Sequence, residues 1–152
     1  MPNWCKGTLK VRGKEKNLKK FIVEALEPVD FLGEKTEEMK INYDGYFSAY
    51  SKRHCYIKGT CRGFVEDLDV ELYGEDEDVR VLCLETETAW DIDAKPLQAL
   101  CKEFTVDMKI YAFESGMEFN REIEIIDGEI VKDNEISFDD YEWDCVCPNI
   151  GG

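Results

Sequence analysis

The 152-residue chain has one histidine, His54, only four prolines, and no run of apolar residues approaching the length a bilayer demands. A membrane-crossing helix takes about 20 consecutive apolar residues, so none is expected. The opening MPNWCKGTLKVRGKEK lacks the apolar centre of a secretory signal, which predicts a cytoplasmic protein. In that reducing compartment Cys5, Cys55, Cys61, Cys83, Cys101, Cys145 and Cys147 are expected as free thiols, not as a disulfide framework. CxxC spacing is missing, and so are the GxGxxG and GxxxxGK[ST] phosphate loops, which removes paired-cysteine zinc modules and P-loop chemistry.

The inventory for catalysis is equally thin. Arg53 and Cys55 flank His54, but strand neighbours point to opposite faces, so His54 and Cys55 do not form a dyad by adjacency. Cys145 and Cys147 make a CxC pair that could hold a soft metal if a second pair came near; burial as small apolar side chains is the simpler reading. Close acid pairs such as Asp91 and Asp93 arise by chance among 34 carboxylates. The segment DIDAKP lacks the glycine of a calcium loop. No catalytic residue, metal site or cofactor is assigned from the sequence, and binding is favoured over catalysis.

What is present is a folded composition, 43% hydrophobic and 12% aromatic, in a length suited to one domain. Residues 4–12 alternate with period two, and 14–27 place Leu18, Phe21, Ile22, Ala25 and Leu26 at helical spacing before Pro28. Strands are expected over 54–66 and 79–88, the latter central because both its faces begin apolar. Asp93 and Pro96 open a helix reaching Phe104. Strands follow at 106–113 and 117–126, the second with Arg121 inside its otherwise apolar row, and Asp127-Gly128 signals a hairpin. The order predicts an α+β, ferredoxin-like βαββαβ fold with two helices on one face of an antiparallel sheet and an added C-terminal hairpin. The expected division is a domain at 1–132 with an insertion at about 29–53, then an acidic, aromatic extension at 133–152. The rings of Tyr43, Tyr46, Phe47 and Tyr50 are expected to close one end of the core.

The net charge is −15 and unevenly spread: residues 1–63 carry 13 basic and 8 acidic side chains, whereas 64–152 carry 6 and 26. An acidic surplus of this size attracts basic partners and repels polyanions. It thus predicts a non-catalytic interaction protein docking on a basic, nucleic-acid-handling partner. Its candidate contacts are Glu75, Asp76, Glu77 and Asp78 of the GEDED turn, Glu118, Glu122 and Glu124, and Asp139, Asp140, Glu142 and Asp144 of the tail. The alternative is nucleic-acid binding through Lys6, Lys10, Arg12, Lys14, Lys16, Lys19 and Lys20, although no RNP pattern of aromatics accompanies them. A third reading pairs this basic patch with the acids of another copy. The oligomeric state is left open.

The pieces MPNWCKGTLKVRG, RGFVEDL, LETETAWDIDAKPLQALCKEF and VDMKIYAFESGMEFNREIEIIDGE together resemble the YubB-type ferredoxin-like family of small plasmid, phage and bacterial proteins. The resemblance covers about residues 1–27 and 60–130, and its most specific element is Thr88-Ala89-Trp90 ahead of a proline-started helix. It implies a ferredoxin-like core and a mobile-element setting, which suits an inhibitor of a host nuclease, and it supplies no catalytic residues. The tryptophan- and cysteine-rich middle segment of many members is replaced here by the tyrosine-rich stretch and the acidic turn.

Overall fold

A computed structural model describes residues 2–30, 32–36 and 39–152; positions 31, 37 and 38 of the expected insertion lie outside the described residues. The chain runs β1 (Trp4–Lys14), α1 (Glu15–Ala25), β2 (Leu26–Pro28), β3 (Lys40–Asn42), β4 (Phe47–Ser51), β5 (Cys55–Ile57), β6 (Gly63–Val65), β7 (Leu68–Leu72) and β8 (Val79–Ala89). It continues through α2 (Ala94–Phe104), β9 (Asp107–Glu114), β10 (Phe119–Ile126), β11 (Glu129–Ser137) and α3 (Tyr141–Asp144).

The ferredoxin-like α+β expectation is overturned: the protein is mainly β, with eight strands in one antiparallel sheet ordered β11-β10-β9-β1-β8-β6-β5-β2 and a separate sheet β3-β4-β7. The physical reason lies in the middle of the chain. The expected single strand over 54–66 breaks at Gly59, φ +82°, into the hairpin β5–β6. The end of the expected helix segment becomes β2 of the main sheet, and the expected insertion contributes β3 and β4 to the second. The C-terminal strand also runs on to Ser137 rather than ending near Lys132.

Alternation decides which face of the main sheet is covered. Leu9, Val11, Leu82, Leu84, Met108, Ile110, Ile123 and Ile125 point inward and share one core with Leu18, Phe21 and Ile22 of α1 and Leu97, Leu100 and Phe104 of α2. Phe47, Ala49, Leu68, Val70 and Leu72 of the second sheet join that core. Of the tyrosine-rich stretch only Phe47 is buried, while Tyr43, Tyr46 and Tyr50 stay at the surface, Tyr46 stacked on Tyr73. The helix-free face carries Lys6, Glu87, Phe64 and Tyr56 in one cross-strand row.

The tail covers one end of that open face. Phe138, Tyr141, Cys145 and Cys147 pack on Phe113 and Tyr111. Gly152 then exchanges two backbone hydrogen bonds with Trp4, at 3.2 and 2.8 Å, occupying the place next to β1 that β9 leaves when it turns at Ser115.

Candidate functional site

The two sets of charges singled out by the sequence lie largely against each other. Helix α1 has no side-chain cap at Lys14, so its first amides need outside acceptors. The GEDED turn supplies them: Glu15 N–H donates to the Asp78 carbonyl at 2.8 Å and Lys16 N–H to the Asp76 carbonyl at 3.1 Å. The acidic side chains of the turn then sit at the positive end of the helix dipole and meet its lysines. Glu77 holds Lys14 at 2.6 Å and also Lys16, Asp76 holds Lys19 at 3.0 Å, and Asp78 holds Arg80 at 3.1 Å. The hydrogen bonds from Lys14 and Lys16 bring the Glu77 carboxyl down to about 2.

Cross-strand pairing engages more of both sets. Arg12 meets Asp107 at 2.7 Å, Glu122 meets Lys132 at 3.0 Å, and Glu124 meets Lys109 at 3.8 Å. Of the seven basic candidates, Lys10 and Lys20 hold no carboxylate among the described residues; the Lys20 ammonium lies 5.9 Å from the Phe104 ring centre. Among the acidic candidates, Glu75, Glu118, Asp139, Asp140, Glu142 and Asp144 have no ion pair among the described residues. The last four surround Trp143, which is 85% exposed, and Val146, which is 82% exposed. Asp140 caps α3 through a 3.2 Å hydrogen bond from Trp143 N–H.

A second feature of the open face was not anticipated. Trp4, Tyr56 and Phe64 converge there, with Trp4 and Phe64 centroids 6.2 Å apart and Tyr56 and Phe64 6.0 Å apart. They line a recess of about 720 Å³ together with Asp30, His54, Arg62 and Glu87. Beyond its Glu87 wall Lys6 Nζ bridges Glu66 at 2.9 Å and Glu87 at 3.0 Å, and His54 Nδ1 lies 3.2 Å from Glu87. The hydrogen bond to Glu66 raises the Lys6 ammonium. Burial, the largest single influence, pushes the Glu66 carboxyl up, but the hydrogen bonds from Lys6 and with Glu87 and the nearby positive charge together outweigh it and the net shift is downward. His54, Glu66 and Glu87 offer ligand atoms within 4.8 Å of one another, yet a divalent ion would have to displace the Lys6 ammonium that already bridges both carboxylates. No family model, curated protein or solved structure matches the chain.

Nucleophilic chemistry gains little from this geometry. Burial pushes the Cys5 and Cys101 thiols up to about 12, the reverse of what activates a thiolate. Cys145 is buried in the tail cluster, where Asn120 Nδ2 lies 3.5 Å from its sulfur, while Cys147 is half-buried and free. The signal for the recess was present but divided: Tyr56 and Phe64 flank the Gly59 turn, and Trp4 stands two residues before Lys6. Only the β1-β8-β6-β5 register joins them.

Proposed function

We propose that the chain is a non-catalytic interaction protein that docks its acidic tail surface on a basic, nucleic-acid-handling protein, in the manner of a mobile-element inhibitor. The observation that carries this reading is the distribution of unpaired charge. Lys6, Arg12, Lys14, Lys16 and Lys19 already hold carboxylates of the same molecule, whereas Asp139, Asp140, Glu142 and Asp144 hold none among the described residues and frame an exposed tryptophan. An exposed ring rimmed by like charges has the composition of a binding anchor, since aromatic side chains dominate interface energetics and complementary charge directs encounter. The GEDED turn is better explained as the cap of α1. The N-terminal basic patch, the alternative surface for a polyanion, has few cations left to offer.

Affinity capture from nuclease-treated lysate, followed by an activity assay on any recovered nucleic-acid enzyme, tests the reading. A basic enzyme should be captured and inhibited by the wild type. A variant carrying Asp139→Lys, Glu142→Lys and Trp143→Ala should lose both effects. Undiminished capture and inhibition by that variant would exclude the tail surface, and capture that depends on nucleic acid would exclude direct protein docking.

A further inference from the structure

We propose that the recess between β1, β5 and β6 binds a nucleotide, with its base against the ring wall and its phosphate on Arg62. Trp4, Tyr56 and Phe64 are each half-buried, so each keeps ring surface accessible, and the Tyr56 hydroxyl donates to the Thr60 carbonyl at 2.6 Å, which fixes its ring. Stacking on such rings is tolerant of base identity, because every base has a π face. The volume of about 720 Å³ falls in the range of about 300–1,000 Å³ typical of small-molecule sites.

One charge at the recess, Arg62, is placed to hold an anion beside that base. Arg62 is exposed, takes a left-handed backbone with φ +57°, and lies 5.7 Å from the Trp4 ring centre. It holds no carboxylate among the described residues. A guanidinium laid over a ring keeps its in-plane N–H fork free for phosphate. Both acids in the wall are engaged elsewhere: Asp30 accepts from the Leu32 and Glu34 amides at 2.9 Å, and Glu87 is held by Lys6 and His54. The recess therefore presents a free cation beside stacking surface in a molecule whose total charge of −15 opposes a long polyanion. Two sources share this chemistry, a free nucleotide and one unit at the end of a single strand.

The chain has three tryptophans, so the background W90F/W143F leaves Trp4 as the sole indole reporter. Full-length protein in that background would be titrated with purine and pyrimidine nucleoside monophosphates and with short single-stranded oligonucleotides. Saturable quenching of Trp4 is expected, and Arg62→Ala, a surface change verified by unchanged circular dichroism, should weaken it about tenfold or more. Arg12→Ala, on the same face but outside the recess, should leave it unaltered. Quenching by monophosphates assigns a free nucleotide, and quenching confined to oligonucleotides assigns a strand end. Absence of saturable quenching by either at millimolar concentration, or binding indifferent to Arg62→Ala, overturns the proposal. The docking surface at Trp143 is untouched by that outcome.

Discussion

Glu77 shows how one exposed side chain ties two segments together. Its carboxyl is lowered from 4.5 to about 2 by the hydrogen bonds from Lys14 and Lys16. A carboxylate whose folded value is depressed contributes stability that is complete above its unfolded value and is lost as the pH falls through the folded one. The denaturation midpoint of wild type should therefore exceed that of Glu77→Gln at neutral pH. The gap should narrow as the pH drops from about 4.5 towards 2. Because the pair is open to solvent, added salt should shrink the same gap at neutral pH. Urea melts of the two proteins across that pH range would measure it, and a gap that stays constant on acidification would show that Glu77 does not act through its charge.

Among the elements, β1 is the most constrained, since β8 pairs along its full length and β9 along most of it. A Cβ placed on Gly7 would lie 2.1 Å from the Tyr111 carbonyl oxygen and 2.6 Å from the Ala112 Cα. Because this is backbone rather than a flexible side chain, Gly7→Ala must spread β1 and β9. A loss of about 1–3 kcal/mol, the usual penalty for overpacking, is expected in chemical denaturation. Gly45→Ala, where nothing lies within 4 Å but φ is +80°, should cost roughly 1 kcal/mol from backbone strain alone. Equal losses at the two sites would argue against the close β1–β9 approach.

The elements that could be read from the sequence are those with long, clean periodicity: β1, α1, β8, α2, β9 and β10. Their faces were legible too, down to Arg121 in the apolar row of β10, except in β8, whose second apolar row of Val79, Val81 and Cys83 is exposed. Arg121 is buried and resolves its charge by reaching Asp91, Asp133 and the Ile92 carbonyl. The three-residue strands β2 and β3 are too short for alternation to declare itself, and β5 and β6 are read as one strand over 54–66; together they turn the expected fold into a mainly β one. The recess escaped for a related reason. Trp4 is more than fifty residues from Tyr56 and Phe64 along the chain, and only strand register, which no local pattern encodes, makes the three neighbours.

For the whole molecule, the division into a basic first part and an acidic second part acquires a structural meaning. Lys6, Arg12, Lys14, Lys16 and Lys19 all find carboxylates beyond residue 64, at Glu66, Glu87, Asp107, Glu77 and Asp76. Charge asymmetry along the chain thus becomes complementarity across the fold, and it places the GEDED turn over the start of α1. Reversing one side should expose this dependence. Lys14→Glu with Lys16→Glu would put two new carboxylates against Glu77 and Asp76 at the positive end of a helix whose first amides bond that same turn. At low ionic strength the double variant should melt well below wild type, and a third change, Glu77→Lys, should restore much of the difference. High salt should bring single-side reversal and wild type closer together, because the Debye length falls to about 3 Å at 1 M. Denaturant midpoints of the three proteins at low and high salt would decide the matter: recovery by Glu77→Lys marks a specific charge partnership, whereas a loss that neither Glu77→Lys nor salt repairs would mean that the turn is held by its backbone bonds to α1 and that the acids are incidental to it.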